Sequence, residues 1–377
     1  MTTGRLVLVG AGHAHLHLLR QAGRLRAAGL VVTLIAPRWF QYSGLASGVL
    51  SGALATEAAE IDVEALAADF GVRHRGQPVT AIDRKARVLT LAGGATEPFD
   101  LLSLNVGSMA SDPGAMAAHA GVWPVKPLAN IFALRARLEA GIALGGPAPR
   151  IVIAGGGFSA LEIAASLCGL FEATGLCPDV TVVAPSFGSA LPAAARDRLI
   201  VSLTARGVGF QTGAVVGREA DACRLAEGAV LPCDHLVLAT GLVAPPLIAD
   251  LALPVDPDGR LRVTATMQSV DDPAIFAAGD CAVIGEDPRP AAGIFGVRAA
   301  PVLLNNLAAF REERPMRTYQ PQRRWLAIMD LGDGSGFAHR GRFWWLGRTS
   351  LRLKRYLDLG FIRRMRAPPP LPTGPRP

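Results

Sequence analysis

Residues 5–15 read Arg5-Leu6-Val7-Leu8-Val9-Gly10-Ala11-Gly12-His13-Ala14-His15. The first five residues are mostly apolar and predict a buried strand, and the glycines after them predict a tight turn. A helical pattern runs from about residue 13 to residue 28, Gly29 ends it, and residues 30–36 predict the next buried strand. The segment is therefore predicted to form a βαβ unit whose helix begins at a glycine turn.

A turn of this kind is typical of dinucleotide-binding folds. The first glycine permits the sharp bend, the second lets the backbone approach a pyrophosphate, and the helix N-terminus faces its negative charge. Two features of this chain depart from that pattern. His15 occupies the third position, where a small residue is usual, and Ala36-Pro37-Arg38 stands where an acid would bind the ribose hydroxyls.

A second unit of the same kind begins at residue 150. Residues 150–154 predict a strand, Gly155-Gly156-Gly157 a turn, residues 158–171 a helix and residues 180–184 the next strand. No acid follows that strand either, because Ala184-Pro185-Ser186 stands there, so the sequence does not decide between NADH and NADPH. Two interpretations stay open: a nicotinamide site, or a fold that is kept only for packing.

Each unit is followed by a polar residue, a buried strand and a glycine turn, in residues 99–108 and 233–241. Residues 275–282 repeat the strand and turn and contain Gly279-Asp280. Alternating strands and helices of this kind predict parallel sheets. The fold class is therefore predicted as α/β with two Rossmann-like dinucleotide-binding domains.

Composition limits the class of protein. A chain of 377 residues, 50% of them hydrophobic, suits two packed domains and an appendage and argues against disorder. No apolar run reaches the roughly 18–20 residues that span a bilayer, and no signal-peptide pattern precedes Arg5, so a cytoplasmic location is expected. The five cysteines show neither C-x-x-C nor zinc-finger spacing, and we expect most of them to be small buried hydrophobes.

The order of four motifs carries a family resemblance. The two glycine turns, Ala239-Thr240-Gly241 and Gly279-Asp280 resemble the two-dinucleotide-binding-domain flavoproteins of the pyridine nucleotide-disulfide oxidoreductase superfamily. The resemblance covers about residues 5–310 and implies FAD at the first fold, with NAD(P)H expected at the second. In that family the aspartate that matches Asp280 bonds the ribitol of FAD.

Within the superfamily the chain resembles the type II NADH dehydrogenase branch, and within it the NADH-dehydrogenase-like domain found alone or fused to selenide, water dikinase. Residues 40–48 lack the cysteine pair of the disulfide reductases. Sulfide:quinone oxidoreductases keep a redox cysteine beyond the Gly-Asp motif, and here no cysteine follows Cys281. The resemblance implies that His15 is a subfamily feature. It rests on residues 7–15, 42–44, 121–127, 292–298, 319–322 and 331–334.

The resemblance also implies three regions of the chain. Residues 1–120 and 245–310 are expected to form a discontinuous FAD-binding domain, and residues 121–244 an NAD(P)-binding-like domain. Residues 311–377 are expected to form a C-terminal α+β appendage, an interface or membrane-proximal region with a frayed Pro-rich end.

The candidate cofactor-binding residues surround the glycine turns and the Gly-Asp motif. For FAD they are Gly10, Gly12, His13, Ala14, His15, Arg38, Ser43, Gly44, Val79, Gly107, Gly279, Asp280 and Phe295. For the nicotinamide dinucleotide they are Gly155, Gly157, Phe158, Ser159, Thr240 and Gly241.

Glu162 and Lys126 are the candidate catalytic residues. Glu162 is predicted in the first turn of its helix, where the dipole favours a carboxylate; it is either a helix-start acid or a group near the flavin and nicotinamide. Lys126 falls where the two domains join, and it is either a surface lysine of the hinge or a group that approaches the flavin. No metal site is expected, because His13 and His17 share a helix face from which His15 points away.

The leading functional hypothesis is an FAD-dependent enzyme that passes a hydride from NAD(P)H to FAD and then electrons to a small acceptor, with a quinone as one candidate. Type II NADH dehydrogenases carry an Ala-Gln-x-Ala-x-Gln stretch where quinone docks, whereas residues 292–299 contain no Gln, which puts quinone in doubt. One alternative is a soluble flavoprotein that acts on a small sulfur- or selenium-containing metabolite without nicotinamide. Another is a non-enzymatic flavin-binding module.

The positive charge of the chain is concentrated near its C-terminus. Between Arg311 and Arg366 there are 14 basic and 5 acidic residues, against a net charge of +7 for the whole chain. Residues 350–366 predict a basic amphipathic helix, with Leu353, Leu357, Phe361 and Met365 on one arc, and aromatic residues 343–345 precede it. Peripheral association of residues 342–366 with the anionic inner face of the cell membrane is one interpretation. A helix that docks on the body of the protein or forms a homodimer contact is the other, and nucleic acid is not expected because no recognised binding fold is present.

Overall fold

The computed structural model of the protein describes residues 3–172, 174–286, 289–366 and 368. Its architecture is α/β, built around two five-stranded parallel sheets. The predicted fold class is therefore confirmed. The Pro-rich end expected to fray lies outside the described residues from residue 369 onward.

The first sheet has the strand order β21-β9-β1-β2-β5. All its neighbouring strands are parallel, and β9 is buried along its whole length, as expected for strands covered on both faces. The strand that contributes one edge comes from far along the chain, directly before the Gly-Asp motif. The five strands are β1 (Gly4–Val9), β2 (Leu30–Ile35), β5 (Arg73–Arg75), β9 (Leu101–Leu104) and β21 (Ile275–Ala277).

Among the described residues, several helices and short strands belong to the same half of the chain as the first sheet, and the helix Ala46–Leu50 among them packs towards the other half. The predicted helix over residues 13–28 is two helices, because the backbone leaves helical geometry at Gln21. The helices are α1 (His13–Arg20), α2 (Ala22–Ala27), α3 (Ala46–Leu50), α4 (Val63–Asp69) and α8 (Gly293–Arg311). The short strands are β3 (Trp39–Gln41) paired with β4 (Glu60–Asp62), the meander β6 (Val79–Asp83), β7 (Val88–Leu91) and β8 (Thr96–Pro98), and β20 (Leu261–Val263) paired with β22 (Ala282–Ile284).

The second sheet repeats the parallel arrangement in the order β11-β18-β12-β13-β14. Its strands are β11 (Val122–Pro124), β12 (Arg150–Ala154), β13 (Asp179–Ala184), β14 (Val208–Thr212) and β18 (His235–Leu238). Its helices are α5 (Ala129–Ala143), α6 (Phe158–Glu172) and α7 (Ala193–Thr204), and a meander of β15 (Val215–Glu219), β16 (Ala222–Leu225) and β17 (Val230–Pro232) precedes β18. Two short antiparallel strands, β10 (Met109–Ala110) and β19 (Leu242–Val243), pair where the chain enters and leaves this half.

The C-terminal region is a three-stranded antiparallel sheet followed by a long helix. Its elements are β23 (Ala327–Asp330), β24 (Gly336–Arg340), β25 (Phe343–Gly347) and α9 (Arg348–Arg366). Helix α9 docks on the body with Leu351, Phe361, Ile362 and Met365 buried. The predicted apolar arc is therefore divided, because Leu357 is 46% exposed and faces away from this contact.

Helix α8 modifies the expectation that no segment could span a bilayer. By length and composition alone it is long and apolar enough to cross a bilayer, although half of its most apolar stretch is buried inside the protein. It packs along α1, and Leu303, Leu304 and Leu307 lie in the main hydrophobic core. Core packing therefore accounts for its apolar sequence.

The cysteines match their predicted role. Cys168, Cys223, Cys233 and Cys281 are buried, Cys177 is exposed, and all five are free thiols.

Candidate functional site

The first glycine turn, the end of β9 and the Gly-Asp motif surround a cavity of about 550 Å³. This volume falls within the usual range of cofactor pockets. We call it the first cavity. Of the predicted residues, those that line it are Gly10, Gly12, His13, Ser43, Val79, Gly107, Lys126, Gly279 and Asp280.

The glycines of the first turn are required by close backbone contacts. Gly10 has a φ of +84°, and a Cβ added there would lie 2.5 Å from the carbonyl oxygen of Asn105. A Cβ added at Gly12 would lie 2.4 Å from Oδ1 of Asn105. Both separations are far below van der Waals contact, so only glycine allows the turn to close against the residue after β9.

Asn105 is a site residue that the sequence analysis missed. Its Oδ1 accepts hydrogen bonds from the backbone N–H groups of Ala14 (3.0 Å) and His15 (3.2 Å), which caps α1 from a distant segment. Its Nδ2 donates to the carbonyl oxygen of Ala278 at 2.6 Å. One buried amide thus fixes the first turn to the Gly-Asp motif. The only sequence signal was a polar residue directly after a buried strand.

Asp280 meets two partners at the floor of the first cavity. Its Oδ2 accepts a hydrogen bond from the Ser108 hydroxyl at 2.9 Å and from Nζ of Lys126 at 3.1 Å. The side chain of Lys126 is 26% exposed and that of Asp280 11%. Lys126 therefore lies inside the site and not on the outer surface of a hinge.

His15 lies beneath the turn instead of lining the cavity. Its side chain is fully buried, with Nδ1 2.6 Å from the carbonyl oxygen of Gly10 and Nε2 2.8 Å from the hydroxyl of Ser103. Because a carbonyl oxygen only accepts, Nδ1 carries the proton and Nε2 accepts from Ser103. Burial lowers the pKa of His15 to about 4, so the ring is neutral at pH 7. The imidazole at the third position therefore braces the turn through hydrogen bonds.

His13 borders the first cavity within an aromatic cluster. Its ring centroid lies 5.4 Å from Phe40, 5.6 Å from Tyr42 and 5.5 Å from Phe361 of α9. Burial lowers the pKa of His13 to about 4, and Lys126 adds to that effect while Asp280 opposes it. No group of three or more metal-ligating side chains occurs among the described residues.

Four other predicted residues do not line the first cavity. Ala14 is buried in α1, and Gly44 lies behind Ser43 against Tyr42 and Asp358. The guanidinium of Arg38 bonds the carboxylate of Asp62 at 2.8 Å on the outer surface. Phe295 packs edge-on against Trp325 and borders a separate cavity of about 50 Å³ behind Asp280. In its place Gly293 and Gly296, at the N-terminus of α8, line the first cavity.

The second glycine turn opens onto a second cavity of about 760 Å³. Gly155 has a φ of +119°, and a Cβ added there would lie 2.1 Å from the carbonyl oxygen of Ala239. The hydroxyl of Thr240 donates to the carbonyl oxygen of Ser111, which fixes the Ala-Thr-Gly turn to the residue directly after the entry strand β10. All the residues predicted for this site line the second cavity: Gly155, Gly157, Phe158, Ser159, Thr240, Gly241 and Glu162.

Glu162 differs in position from its prediction. Helix α6 begins at Phe158 and has no acid in its first turn, so Glu162 falls one turn later and does not interact with the helix N-terminus. Its Oε1 accepts a hydrogen bond from the backbone N–H of Asp330 at 2.9 Å. Burial raises the pKa of Glu162, and the nearby ammonium of Lys354 and the Asp330 hydrogen bond partly offset that rise.

Lys354 of the C-terminal helix α9 lies near Glu162. Its Nζ donates to the carbonyl oxygen of Gly44 at 2.6 Å and to Asp358 at 3.1 Å, and the hydroxyl of Tyr42 also donates to Asp358 at 2.9 Å. Burial acts to lower the pKa of Lys354, but the carboxylates of Glu162 and Asp358 outweigh it and the pKa is raised. The charged lysine therefore holds the segment that carries Ser43.

The two cavities meet. Ser43, Lys126 and Leu128 line both of them, so the cavities at the two glycine turns adjoin at these residues. The cavity volumes, the glycines of the two turns and the two helix N-termini fit two bound dinucleotides, one at each turn. Held in this way, their reactive ends would converge near Lys126.

Two Rossmann-like folds with converging cavities define the class of two-dinucleotide oxidoreductases. The family model for pyridine nucleotide-disulphide oxidoreductases matches residues 4–306, and the chain belongs to that family. Membership makes it an FAD-dependent oxidoreductase and implies FAD and NAD(P)H as its cofactors.

Individual proteins show the same relationship. Over 300 residues the chain is 27% identical to a probable ferredoxin reductase of Castellaniella defragrans, and the alignment covers 73% of this chain and 67% of that protein. It is 31% identical over 229 residues to an NADH dehydrogenase-like protein of Mycobacterium tuberculosis, and this alignment covers 58% of this chain and 57% of that protein. The fold is similar to NDH2 of Plasmodium falciparum, solved in complex with NADH, with a TM-score of 0.78, 13% identity and coverage of 98% and 99%.

Proposed function

We propose that the protein transfers a hydride from NAD(P)H in the second cavity to FAD in the first, and then passes electrons to a small carrier. The observation that carries the proposal is the junction of the two cavities at Ser43, Lys126 and Leu128. Hydride transfer needs donor and acceptor held a few ångströms apart in a space that excludes water. Two adjoining cavities, each at a glycine turn, support such an arrangement.

The chain supplies binding and orientation. The glycine turns and the N-termini of α1 and α6 receive the pyrophosphates, and Asp280, held by Ser108 and Lys126, is placed to bond the sugar chain of FAD. The bound flavin supplies the ring that accepts the hydride. Lys126, paired with Asp280, lies at the junction, and its ammonium would stabilise negative charge on a flavin held there.

The C-terminal helix contributes a second set of charges. Lys354, Asp358 and Tyr42 hold the segment around Ser43 from behind, and Glu162 lies between α9 and the second cavity. This cluster bonds helix α9 to the segment that lines the junction. It also places a carboxylate of raised pKa beside the second cavity.

Anaerobic mixing of the FAD-loaded protein with NADH and, separately, with NADPH tests the proposal. We expect the flavin absorbance to bleach with at least one donor, at a rate that saturates with donor concentration. If neither donor bleaches the flavin, the proposed hydride transfer is wrong. Reoxidation of the reduced protein by a ferredoxin-type iron–sulfur protein and by a soluble quinone analogue then compares the two kinds of acceptor.

We further propose that the exposed C-terminal face meets the anionic surface of a membrane. This face consists of Arg342, Phe343, Trp345, Leu346, Arg348, Arg352, Tyr356, Leu357, Arg363 and Arg364. Phe343 is 68% and Tyr356 72% exposed, and the Arg342 guanidinium lies over the Phe343 ring, so exposed aromatic and arginine side chains occur together as in an interfacial surface.

Sedimentation with vesicles tests this second proposal. We expect the protein to pellet with vesicles rich in phosphatidylglycerol and not with neutral ones, and Phe343→Ser to weaken the binding. Arg198→Glu on the exposed side of α7 serves as the charge control. Protein that stays in the supernatant with both kinds of vesicle contradicts membrane binding, and a dimer in light scattering would assign the face to a second copy.

A further inference from the structure

Two cysteines lie beside each other beneath the meander of β15, β16 and β17. Cys223 of β16 pairs in register with Leu231 of β17, and Cys233 follows two residues after Leu231. Opposite residues, and residues two apart on a strand, point to the same face, so both thiols face the hydrophobic cluster between the meander and the second sheet. Both cysteines are fully buried, and the S–H of Cys233 donates to the sulfur of Cys223.

The separation of the two cysteines suits a disulfide. Diagonal neighbours on one face of an antiparallel pair have Cα atoms roughly 7–8 Å apart, with the Cβ atoms closer than that. A disulfide needs Cα atoms within about 7 Å of each other, so a small approach of the two segments closes the bond. Pro232 ends β17 directly before Cys233 and has no N–H to bond to β16, which leaves this segment less tightly held.

The buried guanidinium of Arg218 lies against the two cysteines. Its Nη1 donates to the carbonyl oxygen of Cys233 at 2.7 Å and to Sγ of Cys223 at 3.9 Å. Its Nη2 donates to two further carbonyl oxygens. Its Nε–H has no hydrogen-bond partner among the residues that the structure describes. The positive charge is therefore held by carbonyl dipoles and a thiol, and not by a carboxylate.

A buried cation without a carboxylate favours another anion beside it. The carboxylates of Glu219 and Asp234 pair with other arginines, and Asp221 is exposed to solvent. The hydrogen bond from the partner thiol and the charge of Arg218 hold the pKa of the Cys223 thiol below its usual value, although burial acts the other way. Because the thiolate is the nucleophilic form of cysteine, Cys223 is the member of the pair that is prepared to react.

We propose that Cys223 and Cys233 form a redox-active thiol pair that hydrogen peroxide oxidises to a disulfide, with Arg218 stabilising the charge of the attacking sulfur. The Cys223 thiolate attacks one oxygen of the peroxide, the O–O bond breaks, and the leaving hydroxide takes up the thiol proton as water. The Cys233 sulfur then attacks the resulting sulfenic acid, the S–OH bond breaks, and the hydroxide leaves with the Cys233 proton as a second water. The two thiols lose two electrons, and one peroxide gains them.

The pair is covered by a single layer of the protein. Arg224 and Pro232, which are adjacent in sequence to the two cysteines, are exposed on the outer face of the meander. Local opening of such a surface element admits a small oxidant. Neither cysteine lines the first or the second cavity, so the proposal does not depend on hydride transfer.

Mass spectrometry of the alkylated protein tests the pair. A Cys177→Ser background removes the exposed thiol and prevents links between molecules. After hydrogen peroxide treatment of the FAD-loaded protein, denaturation, alkylation and digestion, we expect a peptide cross-link between Cys223 and Cys233 that dithiothreitol reverses. Cys281 is the internal control, because it is equally buried and bonds only to carbonyl oxygens, and it should stay fully alkylated at the same dose.

Two further variants test the assigned roles. Arg218→Met should slow formation of the cross-link by at least about tenfold, because the thiolate loses its cation. The matched control Arg224→Met, on the exposed face of β16, should leave the rate unchanged. Cys233→Ser should stop the reaction at the sulfenic acid, which dimedone then labels at Cys223.

Oxidation of Cys281 before the cross-link forms overturns the proposal. So does an Arg218→Met protein that keeps its flavin and forms the cross-link as fast as the wild type. If Arg218→Met does not fold, dimedone labelling of Cys233→Ser decides. Label at Cys223 above that at Cys281 supports the pair, and equal or absent label rules it out.

Discussion

Lys126 donates a hydrogen bond to the carboxylate of Asp280 at 3.1 Å, across 154 residues of sequence. The contact joins the segment that enters the second sheet to the turn that follows the last strand of the first sheet. Lys126 also lines both cavities. This ion pair therefore marks the place where the two halves of the site come together.

Replacement of Lys126 is expected to slow flavin reduction while the fold is retained. Lys126→Met removes the positive charge at the junction and leaves Asp280 with Ser108 alone, and we expect the reduction rate to fall by about tenfold or more. Lys126→Arg should keep part of the rate. Stopped-flow absorbance measures the effect, with the exposed Lys85→Met as control. An unchanged rate in Lys126→Met would place the lysine outside the reaction.

Two adjacent glycines of the second turn are expected to respond differently to alanine. A Cβ at Gly156 would collide with the Ser186 carbonyl at 2.0 Å, whereas a Cβ at Gly157 meets nothing within 4 Å. Gly156→Ala should therefore lower thermal stability strongly. Gly157→Ala should leave stability within about 0.5 kcal/mol of wild type, but its methyl group enters the second cavity and should weaken nucleotide binding. Thermal unfolding and calorimetry measure the pair, and equal stability losses would contradict the geometry.

Removal of the Asn105 side chain is expected to loosen FAD. Asn105→Ala leaves two N–H groups of α1 and the carbonyl oxygen of Ala278 without their partner, at a cost of about 3 kcal/mol. Asn105→Asp keeps an acceptor for α1 and, because burial favours its protonated form, can still donate to the carbonyl oxygen of Ala278, so a smaller effect is expected. The flavin-to-protein absorbance ratio after gel filtration and the unfolding midpoint measure both variants. If the two variants lose FAD equally, the helix cap is not the reason.

The neutral state of His15 predicts a pH dependence of stability. Its pKa falls from 6.5 to about 4 on folding, so the unfolded chain binds more protons between these values. Stability should be constant above about pH 6.5, fall as the pH drops towards 4, and change no further below that through this residue. The full contribution is roughly 3 kcal/mol. Denaturant unfolding of wild type and His15→Asn across pH 4–7 measures it, and a difference between them that does not shrink at low pH would contradict the assignment.

Loss of the Lys354 ammonium is expected to destabilise the contact between α9 and the segment around Ser43. Lys354→Met leaves the buried carboxylate of Asp358 and the carbonyl oxygen of Gly44 without their cation, at a cost of about 3 kcal/mol. Lys354→Met combined with Asp358→Leu should recover only part of this loss, because the Asp358 carboxylate is then gone while Glu162 still lacks the nearby ammonium. Chemical denaturation followed by flavin fluorescence tests both proteins. No recovery in the double variant would mean that packing, and not charge, dominates.

Much of the fold could be predicted because its signals are local. The strands, the glycine turns and the Gly-Asp motif are each encoded by neighbouring residues, since turn geometry and burial period act over a few positions. The break at Gln21 and the position of Glu162 beyond the first turn of α6 were not predicted, because helix ends depend on backbone bonds that propensity alone does not specify.

The sequence by itself determined the fold class, the two dinucleotide turns and the place of Asp280 after the last strand of the first sheet. Only the tertiary structure decided that Lys126 reaches Asp280, that Asn105 caps α1, and that Lys354 of the C-terminal helix holds the segment around Ser43. These contacts join segments that lie 91 to 310 residues apart. Packing of the two sheets and α9 brings them together, and no local pattern records which side chains will then meet.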